Sequence, residues 1–201
     1  MFISFEGIEG SGKSTQIKII SESLQKKGHD VISVREPGGT EVGEKIRKIF
    51  LQETTENFDP LTEVLLLYAS RKQLDNEIIK PSLNKGSIVI ADRFFHATKA
   101  YQCYGKGVEL NLVEYLHKTL NISEPDLSIY IDINPELSRK RISNRKADRI
   151  EQESLDFFSR VQHGYLQLEK ESKNFILVDG SKSIEKISGE IDSLIKELLN
   201  V

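Results

Sequence analysis

The sequence of 201 residues contains one cysteine, one methionine, five prolines and no tryptophan. The single cysteine, Cys103, excludes an intramolecular disulfide, and no cysteine and histidine cluster has the spacing of a metal site. Apolar runs such as residues 64–67 fall far short of the about 20 residues that a membrane-spanning helix needs. The N-terminus shows no signal-peptide pattern. We therefore expect a cytoplasmic protein without a membrane partner.

An excess of positive charge is also absent. Lysine and arginine number 28 and aspartate and glutamate 31, so the formal net charge is -3. Such a chain is not expected to hold a nucleic acid backbone with its whole surface, and any basic patch must be local. Hydrophobic residues make up 38% of the chain, enough at this length for a substantial core. We predict a single domain over residues 1–201 and no nucleic-acid partner.

Five short apolar runs rich in Ile, Val and Phe predict strands, at residues 2–5, 31–34, 88–91, 127–133 and 175–178. Their near-continuous hydrophobicity is typical of strands covered on both faces. Helical patterns lie between and after them, at residues 13–27, 41–51, 61–83, 110–120, 135–143, 153–171 and 183–199. This alternation predicts an α/β fold with an open, mostly parallel sheet. Ligands of such sheets bind at the carboxyl ends of the strands.

A glycine-rich segment, GIEGSGKS at residues 7–14, follows the first predicted strand and opens the first predicted helix. It matches the P-loop pattern in the structural context that the pattern requires. Loop amides and the helix N-terminus surround phosphates, Lys13 reaches the β and γ phosphates, and the Ser14 hydroxyl can bind Mg²⁺. We predict ATP and Mg²⁺ as ligands. The predicted nucleotide-binding residues are Gly7, Ile8, Glu9, Gly10, Ser11, Gly12, Lys13, Ser14 and Thr15.

Two further observations narrow the class of P-loop protein. The nearest approach to the Asn-Lys-x-Asp element of GTPases, at residues 144–148, does not match it. The predicted strand 88–91 runs into Asp92 and Arg93, which places a carboxylate near a metal and an arginine at the same crevice. We predict Ser14 and Asp92 as metal ligands. An arginine beside a metal favours a site that brings two phosphate groups together. The alternatives are that Asp92 only caps the end of the strand and that Arg93 is a solvated surface arginine.

Five segments together resemble the thymidylate kinase family. They are FEGIEGSGKST at 5–15, REPGGTEVGEKIR at 35–47, LLLYASRKQ at 65–73, DRFFHATKAYQ at 92–102 and DRIEQESLDFFSRV at 148–161. Their order and spacing agree with the family across nearly the whole chain. The resemblance implies a three-layer P-loop NTPase fold with a five-stranded parallel sheet and a short basic lid. It also implies phosphoryl transfer from ATP to dTMP, and a homodimer.

The resemblance assigns roles to arginines in these segments. It implies that Arg47 and Arg93 hold the monophosphate of dTMP, which is chemically sound because two guanidinium groups match one dianion. It implies that Arg71 hydrogen-bonds the thymine ring. The family has an aromatic side chain where this sequence has Leu67, so we expect Leu67 to form an apolar wall. Tyr68 could instead supply a ring to the base or pack in the core.

Three further roles follow from the same resemblance. Gln102 matches the residue that reads the base, and Tyr101 matches the residue that crowds the ribose 2′ position. Glu9 matches a carboxylate that contacts the sugar 3′-hydroxyl. The predicted substrate-binding residues are Glu9, Arg47, Leu67, Arg71, Arg93, Tyr101 and Gln102.

A basic stretch at residues 139–149 is the predicted lid, with its full extent at about 139–151. Gly10 stands where some family members have a loop arginine, so another segment must supply that charge. Arg145 is our first choice, followed by Arg149 and Arg141. A charge run of this kind is also typical of a solvated surface. The predicted catalytic residues are Lys13, Arg93, Arg145 and Arg149.

No general base is predicted, because a phosphate acceptor is already an anionic nucleophile at neutral pH. Two other functions stay open from the sequence. A deoxynucleoside kinase would need a carboxylate base and would leave the acceptor arginines unexplained. A non-kinase P-loop ATPase would be indifferent to dTMP.

Overall fold

The computed structural model describes residues 1–56, 58–144 and 147–199. It contains one parallel sheet with the strand order β2-β3-β1-β4-β5. The strands are β1 (Phe2–Glu6), β2 (Val31–Arg35), β3 (Ile88–Asp92), β4 (Leu127–Asp132) and β5 (Phe175–Asp179). Each begins at the residue that the apolar runs predict and ends within one residue of the predicted end. The sheet confirms the predicted α/β class.

Helices cover both faces of this sheet. They are α1 (Lys13–Lys26), α2 (Glu41–Leu51), α3 (Pro60–Leu74), α4 (Lys80–Asn84), α5 (Phe95–Thr98), α6 (Leu110–Thr119), α7 (Pro135–Ile142), α8 (Leu155–Glu171) and α9 (Ile184–Leu199). The apolar stripes of α1 and α9 pack with Ile3, Phe5 and Ile129 in one core cluster. Side chains from α3 and α8 belong to two other clusters. The result is the predicted three-layer arrangement.

Two π-helical turns depart from the predicted helices. Asp75–Ile79 joins α3 to α4, so the helix predicted at 61–83 is interrupted. Lys99–Gly105 continues α5, in a region where no helix was predicted. Most of Phe95–Gly105 is buried on every side, so its sequence lacks the one-sided apolar pattern from which helices are recognised.

The second π-helical turn lies very close to α8. Gly164 makes this approach possible, because a Cβ atom at that position would lie 2.7 Å from Cβ of Tyr104. Gly105, within the turn itself, also permits the close approach to α8, because a Cβ there would lie 2.7 Å from the Phe157 ring. Both contacts fix the turn that carries Tyr101 and Gln102.

The register of the sheet brings three chain segments to one edge. Asp92 at the end of β3 pairs with Phe5 in β1 and with Arg35 in β2. The glycine-rich loop, the Asp92-Arg93 pair and the segment after Arg35 therefore meet at the carboxyl ends of adjacent strands.

No helix in the described ranges is long and apolar enough to cross a membrane.

Candidate active site

A cavity of about 250 Å³ opens at this edge of the sheet. Its walls come from the glycine-rich loop, α2, α3, the end of β3 and the π-helical turn after α5. The structure thus brings together predicted residues from every one of these segments: Glu9, Gly10, Lys13, Ser14, Arg47, Leu67, Arg71, Asp92, Arg93, Tyr101 and Gln102.

The glycine-rich loop wraps around the Lys13 side chain. The Lys13 Nζ donates to the carbonyl oxygens of Gly7 at 2.9 Å and Ile8 at 3.0 Å. Gly7 must be glycine, because its φ is 139° and a Cβ would lie 2.6 Å from the Ile131 carbonyl. Gly12 precedes α1 without a side chain to cap it, so the first amides of the helix are available to an anion. Burial, followed by the nearby Arg93, lowers the pKa of Lys13 to about 8.

Ser14 and Asp92 form the predicted metal-ligand pair. The Ser14 hydroxyl donates to Oδ2 of Asp92 at 3.1 Å, and both residues line the cavity. No group of three or more His, Cys, Asp or Glu side chains in the described ranges could hold a metal alone. Mg²⁺ is commonly held by one or two protein oxygens together with substrate phosphates. One hydroxyl and one carboxylate therefore fit this ion when a nucleotide is present.

Arg93 is held in the cavity by three oxygen-bearing side chains. Its Nη2 donates to Oε1 of Glu9 at 2.6 Å and to the Tyr101 hydroxyl at 3.1 Å, and Nη1 lies 3.4 Å from the Tyr165 hydroxyl. Its backbone φ is 69°, an uncommon conformation for a residue with a side chain. Burial acts to lower the pKa of Arg93, but the surrounding oxygens, first those of Tyr101 and Glu9, raise it well above its usual range. Burial would raise the pKa of Glu9, but Arg93 and then Lys13 hold it below its ordinary value.

Glu6 supports this arrangement from below and was not singled out in the sequence. Its Oε1 accepts from the Phe94 amide at 2.9 Å, and its Oε2 accepts from the Tyr165 hydroxyl at 3.3 Å. It therefore anchors the residue after Arg93 and a hydroxyl that contacts Arg93. Burial raises the pKa of Glu6 to about 7, against the opposing charge of Arg93.

Arg47 approaches the cavity from α2. The helix begins after Thr40, as predicted, and the Thr40 hydroxyl accepts from the Gly43 amide at 3.0 Å. The Arg47 Nη1 donates to the Pro37 carbonyl at 2.9 Å. Burial and the neighbouring Arg35 lower its pKa. Arg47 and Arg93 are two of the four arginines that line the cavity. An anion between these two side chains would be favoured by both charges.

Arg71 is 1% exposed and is oriented by two neighbours. Its Nε donates to Oε2 of Glu36 at 2.8 Å, and its Nη2 donates to the Thr98 hydroxyl at 3.0 Å. Its Nη1 is buried with no hydrogen-bond partner among the described residues. Leu67 lines the cavity, whereas Tyr68 packs in the core below Arg71 and donates to the Val113 carbonyl at 3.0 Å.

Gln102 lines the cavity from the π-helical turn after α5. It is held by a residue that was not singled out in the sequence. Its Nε2 donates to Oε2 of Glu63 at 2.9 Å. Glu63 is fully buried on α3 and also binds Lys106 and Arg149. A glutamate near the start of a helix is commonly exposed, so only its distant partners reveal this role.

Comparison with known proteins identifies the family of this chain. Residues 5–191 match the family model described as thymidylate kinase. This chain belongs to the thymidylate kinase family. It is 46% identical over 202 residues to the thymidylate kinase of Thermoanaerobacter sp. (strain X514), with 98% of each chain covered. It is 42% identical to that of Legionella pneumophila (strain Corby), covering 98% of this chain and 94% of the relative. The crystal structure of thymidylate kinase from Ehrlichia chaffeensis matches with a TM-score of 0.80 and 31% identity, covering 98% of both chains.

The basic segment predicted as the lid of this family member lies beside the glycine-rich loop. Arg141 donates to the carbonyl oxygens of Gly10 and Gly180, both at 3.2 Å. Arg139 donates to the Glu153 carbonyl at 3.0 Å. Arg149 instead turns towards α2 and α3, where its Nε donates to the Phe50 carbonyl at 2.9 Å and its Nη1 donates to Glu63 at 2.7 Å. Arg145, the first choice for a catalytic lid arginine, lies outside the described residues.

Proposed function

We propose that this protein transfers the γ-phosphate of ATP to dTMP and forms ADP and dTDP. One observation carries the proposal: a single cavity joins a P-loop lysine, Lys13, to two separate arginines, Arg47 and Arg93, and to a pocket walled by Leu67 and Gln102. Membership of the thymidylate kinase family supports this activity. A simple ATPase would have no use for the second set of cations.

The donor phosphates would lie on the glycine-rich loop, residues 7–15. Amides of the loop and of the first turn of α1 would bind the phosphate oxygens, and Lys13 would balance their charge. Ser14 and Asp92 would hold Mg²⁺ through oxygen atoms. When bound, this ion neutralises charge on the donor phosphates.

The acceptor phosphate would lie between Arg47 and Arg93, in line with the donor. Both arginines would reduce the repulsion between two anions as they approach. Glu9, already bound to Arg93 and Tyr101, would face the sugar 3′-hydroxyl. Tyr101 would crowd the 2′ position and so favour deoxyribose.

The base would enter the wall formed by Leu67, Arg71 and Gln102. The buried Nη1 of Arg71, which has no partner among the described residues, would donate to a carbonyl of the ring. Leu67 would supply apolar contact without the stacking that an aromatic ring provides.

We also propose that residues 139–151 act as a lid within the single domain. Arg141 already contacts the loop at Gly10, which places one basic side chain near the donor site. Arg145 and Arg149 stay predicted catalytic residues. For Arg149, that role would require its guanidinium to leave Glu63, to which it is bound at 2.7 Å.

A homodimer is the proposed assembly. Large apolar side chains are exposed on α2 (Val42 and Ile49), α3 (Leu65) and α6 (Tyr115), each at least 47% exposed, while Ile184 at the start of α9 is 50% exposed. A second copy would cover the exposed side chains of α2, α3 and α6, and the family resemblance implies this assembly. A cytoplasmic location is proposed as well, since the reaction consumes ATP.

The experiment that tests the activity offers thymidine, dTMP and a panel of other nucleoside monophosphates side by side with ATP and Mg²⁺. We expect dTDP from dTMP and no product from thymidine, detected by chromatography. Phosphorylation of thymidine alone would identify a deoxynucleoside kinase. ATP hydrolysis indifferent to every acceptor would identify a non-kinase ATPase.

A further inference from the structure

Glu63 is a buried carboxylate that connects three parts of the chain. Its Oε1 accepts from Lys106 Nζ at 2.8 Å and from Arg149 Nη1 at 2.7 Å, while its Oε2 accepts from Gln102 Nε2 at 2.9 Å. Its side chain is 0% exposed. A buried carboxylate is tolerated in a protein only when charges and hydrogen bonds satisfy it, and these three donors do so.

The charge of Glu63 determines which way the Gln102 amide points. A carboxylate bound to two cations has lone pairs to offer and no proton, so it accepts hydrogen bonds and cannot donate them. The Gln102 amide must therefore turn its NH₂ group towards Glu63. Because Gln102 lines the cavity, the atom that it presents there is the carbonyl Oε1, an acceptor.

The same cavity carries a donor. Arg71 lines it with a buried Nη1 that has no partner in the described part of the chain, and its Nη2 binds Thr98, four residues before Gln102. A donor and an acceptor placed in this way match the edge of a ring with a carbonyl beside an N–H, which thymine and uracil have. Cytosine has an amino group and an unprotonated ring nitrogen at those positions, so both contacts would be mismatched.

We propose that Glu63 is a positioning residue that fixes the acceptor orientation of Gln102 and thereby selects 4-oxo over 4-amino pyrimidine monophosphates. The proposal rests on the proposed base pocket, in which Arg71 and Gln102 face the ring. Glu63 does not touch the substrate and acts through Gln102.

The test replaces the carboxylate by its uncharged isostere, Glu63→Gln. A glutamine can donate as well as accept, so it removes the constraint on the Gln102 amide. We expect the ratio of kcat/KM for dTMP to kcat/KM for dCMP to fall by about 10- to 100-fold, as for a lost or mismatched buried hydrogen bond. The matched control is Glu153→Gln, which removes the other partner of Lys106 and should leave the ratio unchanged. An unchanged ratio in Glu63→Gln overturns the proposal, whatever happens to kcat.

A second variant separates this inference from the base pocket on which it rests. Gln102→Ala should lower the same ratio, and in that background Glu63→Gln should have no further effect on it. If Gln102→Ala leaves the ratio unchanged, the assignment of Gln102 to the base is wrong. If Gln102→Ala lowers the ratio but Glu63→Gln does not, only the role of Glu63 is wrong. An equal effect of Glu63→Gln with and without Gln102 would show a general structural role and also overturn the proposal.

Should Glu63→Gln fail to fold, the double variant Glu63→Gln with Lys106→Gln removes one charge of each sign from the cluster. The same fall in the dTMP to dCMP ratio is expected from it. A folded double variant with wild-type discrimination would overturn the proposal.

Discussion

Lys13 is a cation held inside the protein, where burial and then Arg93 lower its pKa to about 8. The unfolded chain, with an ordinary lysine pKa of 10.5, binds more protons than the folded protein between about pH 8 and 10.5. Stability due to this group therefore rises with pH across that window, and below it the charge opposes folding. The side chain is retained at a thermodynamic disadvantage, as is common for groups that serve a reaction.

We expect Lys13→Met to lower kcat by at least about 10²- to 10³-fold, because a positioned donor to the reacting phosphates is lost. The variant should be no less stable than the wild type at pH 7. Steady-state kinetics and urea unfolding measure the two effects, and the exposed Lys18→Met serves as the control. A variant with normal turnover would contradict the phosphate role of Lys13.

Glu6 gives a second prediction, in the opposite pH range. Its pKa is about 7 in the folded protein against an ordinary 4.5, with burial as the main cause. The folded state binds more protons between these values, so the wild type loses stability as pH rises from about 4.5 to 7. Glu6→Gln lacks this loss and should be more stable than the wild type by as much as about 3 kcal/mol at pH 8.

The measurement for Glu6 is denaturant unfolding of both proteins at pH 4.5 and pH 8. The difference in unfolding free energy should be small at the lower pH and large at the higher one. The same difference at both pH values would show that protonation of Glu6 is not its source.

The sequence predicted those cavity residues that depend on local spacing. Lys13 and Ser14 were singled out because the loop and helix follow a strand directly, and Asp92 and Arg93 because they stand at the end of one; all four line the cavity. Glu6 and Glu63 were not singled out, since their contacts are with Tyr165 and Arg149, which lie far away in the chain. Such partners become adjacent only when the sheet and helices are assembled.

Among the helices, α2 illustrates how a cap can influence a distant side chain. The Thr40 hydroxyl satisfies the Gly43 amide at the first turn, and Arg47 lies two turns along the same helix. Thr40→Ala should lower the unfolding free energy by about 1 kcal/mol. It should also raise KM for dTMP more than KM for ATP, because a frayed first turn displaces Arg47.

Thr40→Ser keeps the hydroxyl and is the matched control for this helix. Thermal unfolding and KM for both substrates should be close to wild type in that variant. Equal effects of the alanine and serine substitutions would assign the loss to packing of the methyl group instead of to the cap.

The strands were predicted more accurately than the helices, for a physical reason. Buried parallel strands are continuous apolar runs, and each of the five stands alone between polar segments. Most residues of the helix at Phe95–Thr98 and of its π-helical continuation are buried, so this segment has no continuous polar face. An amphipathic helix is recognised by such a face, and this helix was therefore not predicted.

For the whole molecule, the exposed apolar side chains of α2, α3 and α6 predict self-association. Leu65→Lys places a charge at a position that is 54% exposed in the monomer. We expect a shift from dimer to monomer in sedimentation velocity at micromolar concentration. The control is Leu198→Lys on α9, which packs on the other face of the sheet and should leave the dimer intact. A monomeric wild type would contradict the proposed assembly.

The absent side chain of Gly164 has a consequence for how this enzyme can evolve. Even a single methyl group there would push Tyr104 away and shift the turn that carries Gln102 to the cavity. Under the proposed function, a mutation at this site would change substrate choice without touching any substrate atom. Substitutions on the face of α8 that contacts the π-helical turn are therefore restricted, because this turn must keep Gln102 in place for the proposed recognition of the nucleotide.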